Sequence, residues 1–315
     1  MSEATAADWS RQEERGSAFW VRTGFRVLNL IGYPAAAVLL VAVMAYFFAT
    51  GRRSRRASLE YLRHLHQYGR ATGCADLPRP TLWNSFRHHL AFGFNVLDRM
   101  YFWQDRIHRF HFTWEGREHL FQARERGTGV LLVGAHIGSF DAARALSQDK
   151  ALPLNVVMYR GHAQKLNAVL NARGPGADIN VIELDEHDVD TVFDLESRLA
   201  RGEIVAVLAD RVPPFSKPRT SRVPFLGVPA DLPQNVWILA GLLKCPVFFS
   251  GAVRTGWRRY HVFVAPMTDR VALPRKQRDE ALTGMIEAFA GRMERLCFQY
   301  PFQWFNFFSY WSQSK

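Results

Sequence analysis

Only three cysteines, Cys74, Cys245 and Cys297, occur among the 315 residues, widely spaced and odd in number. They supply neither a disulfide framework nor a CxxC-based zinc site, and a reducing compartment is the expectation. HExxH and GxSxG are missing, and no internal repeat is visible, which removes the usual zinc-peptidase and nucleophile-elbow readings. Acidic residues are few: 29 Asp+Glu stand against 40 Lys+Arg, a formal charge of +11. Such an excess calls for an anionic partner, whether nucleic acid, membrane or acidic protein. The arginines are scattered or flank an apolar segment, without groove-reading motifs, so nucleic acid is not expected. Apolar residues are plentiful, at 48% with 24 phenylalanines. That is enough for a sizeable core and excludes a disordered polyelectrolyte.

From Val27 to Gly51 run 25 residues without a charge, preceded by Arg22 and Arg26 and followed by Arg52, Arg53, Arg55 and Arg56. A helix of that length reaches roughly 36 Å, enough for a hydrocarbon core of about 30 Å. Pro34 is a predicted kink, and Tyr46, Phe47 and Phe48 sit where an interfacial aromatic belt would lie. The stretch is too long for a signal-peptide core and lacks a small-residue cleavage site, so it reads as a retained anchor. The arginines after it favour a cytoplasmic position for the rest of the chain. A kinked helix lying in one leaflet gives the same sidedness, so spanning and in-plane anchoring both stay open.

Four stretches follow from the patterning: an anchor with its basic flank at 1–58, a helical region at 59–126, an α/β core at 127–275, and an amphipathic helix with an aromatic tail at 276–315. In the second, Leu82, Phe86, Leu90, Phe94 and Leu97 recur at helical spacing. Its histidines, His64, His66, His88, His89, His108 and His111, lack metal-ligand spacing and read as packing or interfacial residues. In the third, apolar runs at 130–134, 154–159, 179–184, 204–209, 246–253 and 260–265 alternate with helical patterns at 190–201 and 233–244. The fold class is therefore α/β, with a mixed, largely parallel sheet flanked by helices, an N-terminal transmembrane or membrane-embedded helix and a helical N-terminal region. In the fourth, a helix from Gln277 to Tyr300 precedes FQWFNFFSYW, seven aromatics in ten residues. The tail either closes the core or meets lipid.

The chemistry concentrates after the run VLLVG, where His136 and Asp141 form an HxxxxD pair. His136 is the only histidine with an acid five residues on. Five residues along one helix turn the side chains about 140° apart, so the two meet only if a break separates them. Gly138 and Ser139 supply that break, with Ser139 a predicted N-cap. A carboxylate holding one imidazole nitrogen leaves the other free to take a proton from a hydroxyl. Strand ends of α/β sheets are also where ligands bind. Backbone N–H groups near Gly138 and Ser139 are predicted to face the developing oxyanion.

Strand, HxxxxD and helix behind a basic, apolar amino terminus resemble the lysophospholipid acyltransferase superfamily, and within it the bacterial late acyltransferases of lipid A biosynthesis. The likeness extends through GTGVLLVGAHIGSFD, VVMYR ending at Arg160, IVAVLADRVP with Asp210 and Arg211, VPFLGVPADLP and YPFQWFNFF. It implies a general base at His136 and an orienting acid at Asp141. It also implies transfer of a fatty acyl group from acyl carrier protein, or acyl-CoA, to a hydroxyl of a glycolipid acceptor such as a lipid A precursor. Neither a metal nor a dissociable cofactor is implied. Arg160 and Arg211 would bind an anionic substrate group, and Phe225, Leu226 and Gly227 would shape the acceptor or acyl site. The implied location is the bacterial inner membrane, catalytic side toward the cytoplasm. Two departures are Asp141 where lipid A enzymes commonly have Glu, and an aromatic rather than basic tail. They leave room for another acceptor, such as an amino-acid lipid, a polyene lipid or a lysophospholipid.

Overall fold

The computed structural model describes residues 18–74, 76–143, 153–159, 179–184, 189–212 and 218–311. Among them a seven-stranded sheet has the order β1-β9-β8-β2-β5-β3-β4. Its strands are β1 (His111–Glu115), β2 (Val130–Gly134), β3 (Leu154–Tyr159), β4 (Ile179–Leu184), β5 (Ile204–Leu208), β8 (Val247–Gly256) and β9 (Arg259–Thr268). β8, β2, β5, β3 and β4 run parallel, while β9 turns back antiparallel on β8 and carries β1 along its outer edge. β6 (Thr220–Phe225) and β7 (Val228–Pro233) form a separate hairpin.

The central strands are continuous apolar runs because both their faces are covered. Leu131 and Val133 of β2, Val205 and Val207 of β5 and Phe249 of β8 point to one side. There they meet Trp237 of α6 (Asn235–Leu243) and Ile286, Phe289 and Met293 of α7 (Arg278–Gln299). Leu195 and Leu199 of α5 (Val189–Ala200) join the same core. The alternate residues Val130, Leu132, Ile204 and Ala206 face Leu120 and Ala123 of α4 (Glu118–Glu125). Each such valine, leucine or isoleucine, fully buried, contributes about 1.5–3 kcal/mol.

Three helices precede the sheet: α1 (Ala18–Thr50), α2 (Arg52–Ala71) and α3 (Leu82–Phe102). α1 breaks at Gly32, whose φ of 72° interrupts the helix just before Pro34. Its Leu28–Thr50 portion has a mean hydropathy of 2.1 and is long and apolar enough to cross a membrane. α1 and α3 run antiparallel and close. Tyr33 packs edge-on to Tyr101 and Phe48 to Phe86, and a Cβ on Gly93 would fall 2.6 Å from Met44. A larger residue at Gly93 would require the Met44 side chain to shift. The region predicted as helical, 59–126, also contains β1, a short edge strand with no buried residue.

The aromatic tail closes the core. Gln303, Trp304, Phe305, Tyr310 and Trp311 are all buried, with Trp304 edge-on to Tyr61 of α2 and to Phe225. Its backbone is held by histidine: His88 Nε2 lies 2.8 Å from the Trp304 carbonyl while Nδ1 lies 3.0 Å from Ser58 Oγ. Burial pushes the His88 imidazole down to about 3. Unfolding frees that ring to bind a proton at its ordinary value of about 6.5, so the unfolded chain binds more protons between the two values. Stability is therefore fully present above 6.5 and falls as pH drops toward 3. Urea unfolding midpoints should decline with acid over this range, less steeply in a His88→Gln protein.

Candidate active site

β2 and β5 pair in parallel with Gly134 opposite Leu208. Two residues beyond each, the same register brings His136 opposite Asp210, and the ladder continues through Ala209 N donating to the Gly134 carbonyl at 2.9 Å. Asp210 Oδ1 lies 2.7 Å from His136 Nδ1, and Oδ2 accepts from the His136 backbone N–H at 3.0 Å. Trp304 Nε1 donates to the same Oδ2 at 3.3 Å. With Nδ1–H donating to the carboxylate, Nε2 is the basic nitrogen. It has no hydrogen-bond partner among the described residues, and the imidazole is 31% exposed against 1% for the Asp210 side chain. The ring thus has a fixed inner edge and a reachable outer one.

Burial alone would raise the Asp210 carboxyl. The charge and hydrogen bonds of His136, with the Arg211 guanidinium nearby, outweigh it and hold Asp210 at about 2. The His136 imidazole moves down from its ordinary value, first by burial and then by the positive charge of Arg211, with Asp210 opposing and Arg99 adding to the descent. A neutral imidazole beside an ionised carboxylate is the protonation state a general base needs at neutral pH.

Asp141 stands elsewhere. Its Oδ2 lies 2.6 Å from Arg99 Nε and its Oδ1 accepts from Trp103 Nε1 at 2.9 Å. Arg99, in the last turn of α3, and Trp103, the helical-conformation residue that caps it, are four apart and hence on one face, and the Arg99 guanidinium lies over the Trp103 ring. The HxxxxD acid expected on His136 is thus taken up by α3, and the carboxylate on the imidazole is Asp210. The loop geometry explains the difference: Asp141 opens a 3₁₀ turn, Asp141–Ala143, whereas Asp210 faces His136 directly across two hydrogen-bonded strands.

The expected oxyanion donors are likewise engaged. Gly138 N–H donates to the Gln303 carbonyl at 2.8 Å and Ser139 N–H to the Ala252 carbonyl at 2.7 Å. Both donors hold the loop to the tail and to β8. Gly138 has φ 67°, and a Cβ there would run into the Ala252 carbonyl, so glycine is required. Ser139 Oγ accepts from Ala142 N at 3.2 Å, the capping geometry expected of it.

Arg211 donates through Nη2 to the Phe305 carbonyl at 2.8 Å and lies over Phe308, half-buried beside the tail. Phe225 is fully buried against Trp304, Tyr310 and Trp311, and so supports the site from behind. Leu226 and Gly227, both at positive φ, form the two-residue turn of the β6–β7 hairpin. Leu226 N donates to Glu294 Oε1 at 2.5 Å, and Gly227 approaches the Tyr68 ring. Arg160 lies outside the described residues. Asp210, Arg99, Trp103, Gln303 and Trp304 carry no site role in the sequence reading. Asp210 is marked in the sequence by its place just past an apolar run, as His136 is, and by lying in the IVAVLADRVP segment of the likeness, neither of which pairs it with His136.

A family model described as bacterial lipid A biosynthesis acyltransferase matches residues 80–313, beginning just before α3 and ending within the tail. No curated protein matches the chain.

Removing the Asp210 charge takes away the influence that raises the imidazole. An NMR titration of the ring should place His136 below 6.5 in the native protein and lower still in Asp210→Asn, while Asp141→Asn leaves the ring's Nδ1 contact in place.

Proposed function

The chain belongs to the bacterial lipid A biosynthesis acyltransferase family, and on that premise we propose that it is a membrane-bound O-acyltransferase. It moves a fatty acyl chain from an acyl-carrier-protein thioester to a hydroxyl of a lipid A precursor or related glycolipid. The observation that carries the reading is the His136–Asp210 pair, with a reachable Nε2, at the carboxyl ends of adjacent parallel strands.

In this mechanism Nε2 removes the acceptor hydroxyl proton as the oxygen attacks the thioester carbonyl. Asp210 keeps the tautomer and stabilises the imidazolium. The tetrahedral intermediate collapses with cleavage of the C–S bond, and the imidazolium returns the proton to the departing sulfur. Atoms and charge balance without an enzyme-bound acyl group. Arg99 and Arg211 bring positive charge close to the ring, which favours an anion there, either the oxyanion or a substrate phosphate. Asp141 acts through Arg99 as a positioning residue. The apolar α1 and the basic residues beside it support attachment to an anionic membrane, and the formal charge of +11 suits an acidic carrier protein.

With acylated carrier protein and membrane lipid, the wild-type protein should yield acylated lipid, and His136→Ala should fall to background. Asp210→Asn should lower kcat by about 10²–10⁴. Arg99→Gln and Asp141→Asn should act chiefly on KM. Normal transfer by His136→Ala would overturn the base assignment. Failure of the wild-type protein to label any lipid would leave a lipid-binding protein instead. Replacing the carrier by acyl-CoA in the same assay tests the donor.

A further inference from the structure

The position of α1 against the body decides how the protein meets lipid. Tyr33, at the kink, donates to Asp98 Oδ1 at 2.6 Å and stacks edge-on against Tyr101 and Phe110. Met44, midway along, sits over Gly93, and Phe48 packs on Phe86 and His89. From Tyr33 to Phe48 the helix advances about 22 Å, and over that whole distance its partner is α3. α3 is itself fixed to the body at both ends. Asp98 receives Tyr260 Oη at 2.7 Å and Arg254 Nε at 3.1 Å, and His88 holds the tail.

A helix standing across a bilayer of about 30 Å would carry α3 and the sheet edge into the hydrocarbon with it. Exposed Arg87 and partly exposed Arg99 of α3 would go too. Charged side chains at that depth are costly. Away from α3, α1 presents Leu30 (86% exposed), Val38 (74%), Leu39, Val41, Val43, Tyr46 and Phe47. Beyond its carboxyl end stand the exposed Arg52, Arg53 and Arg56. Beside the kink, Trp257 packs edge-on to Tyr33 and the Arg258 guanidinium lies over the same ring. Arg258 is joined there by exposed Arg109 and Arg259 around a cleft of about 510 Å³. Apolar residues between two basic ends match one leaflet, acyl region below and anionic headgroups around.

We propose that α1 lies in the plane of a single leaflet, pressed between the bilayer and α3, and does not cross the membrane. The inference rests on the membrane attachment proposed above. It places both ends of α1 on the same side. It also sets the His136 site, with Arg99 of the same α3 close to the ring, at the level of the lipid headgroups.

The test uses the full chain with the exposed Cys74 replaced by Ser. Burial pushes the thiols of Cys245 and Cys297 up to about 11 and about 12, keeping them unreactive. Single cysteines at Asn29→Cys and Thr50→Cys are treated with a membrane-impermeant maleimide in sealed inverted vesicles and in spheroplasts. Both should label in the inverted vesicles and neither in spheroplasts. Labelling of one from each side would overturn the inference and make α1 a span, while leaving membrane attachment intact. A protein that floats with neither cells' membranes nor phosphatidylglycerol vesicles, and elutes as a dimer, would assign the face to a second copy and overturn both. In phosphatidylglycerol vesicle flotation, Arg52→Gln/Arg53→Gln/Arg56→Gln should weaken partitioning roughly tenfold or more, with acyl transfer to detergent-dispersed acceptor unchanged.

Discussion

A carboxylate buried as deeply as that of Asp210 persists as an anion only if its lone pairs are met, and the surrounding architecture is arranged to meet them. The His136 backbone and ring and the Trp304 indole each contribute a donor. For the first two, β2 and β5 must be neighbours in parallel register. For the third, the tail must thread back beneath the sheet's carboxyl edge. Tyr310 then fixes the Asp210 carbonyl at 2.8 Å, and Phe305 N–H closes on the His136 carbonyl at 2.8 Å. The imidazole is consequently set by backbone on both sides, which is the kind of pre-organisation a proton-transfer site requires.

α3 joins this site to the rest of the molecule. Consecutive residues on it look in two directions: Asp98 gathers Tyr33, Tyr260 and Arg254, while Arg99 reaches Asp141. Arg254 extends the connection, because Gln303 bonds both its backbone N–H and its carbonyl at 2.8 Å. The Gln303 carbonyl in turn holds Gly138. The apolar helix, the sheet edge, the tail and the histidine loop are therefore one connected set of short hydrogen bonds and packed rings.

How much of this was legible in the sequence varies with the kind of signal. The central strands were, because a parallel strand covered on both faces is an unbroken apolar run, and 130–134 and 154–159 carry the predicted bounds; the edge strand β4 keeps its bounds too, 179–184, because INVIEL is itself mostly apolar. β1 was not, since HFTWE sits on an edge with no buried residue. The β6–β7 hairpin was hidden by Pro224, Pro229 and Pro233 and by a turn that places Leu226 at φ 52°, an uncommon choice there. At the site, His136 was found through its motif and Ser139 through its capping position. The motif leaves the partner of Asp141 open, because five residues of separation leave its direction to the turn between, and in the structure that partner is Arg99.

The sequence by itself determined the α/β class, the apolar amino-terminal helix, the basic surplus and the histidine at a strand end, all of which follow from local composition and period. Only the tertiary structure decided which carboxylate holds that histidine, because strand order within a sheet depends on which faces bury one another and leaves no mark at short range. The same holds for the tail. Aromatic residues suit a core and a lipid equally well, and contact with the sheet and α2 separates those possibilities for Trp304, Tyr310 and Trp311, since a side chain already buried against protein has no face left for lipid.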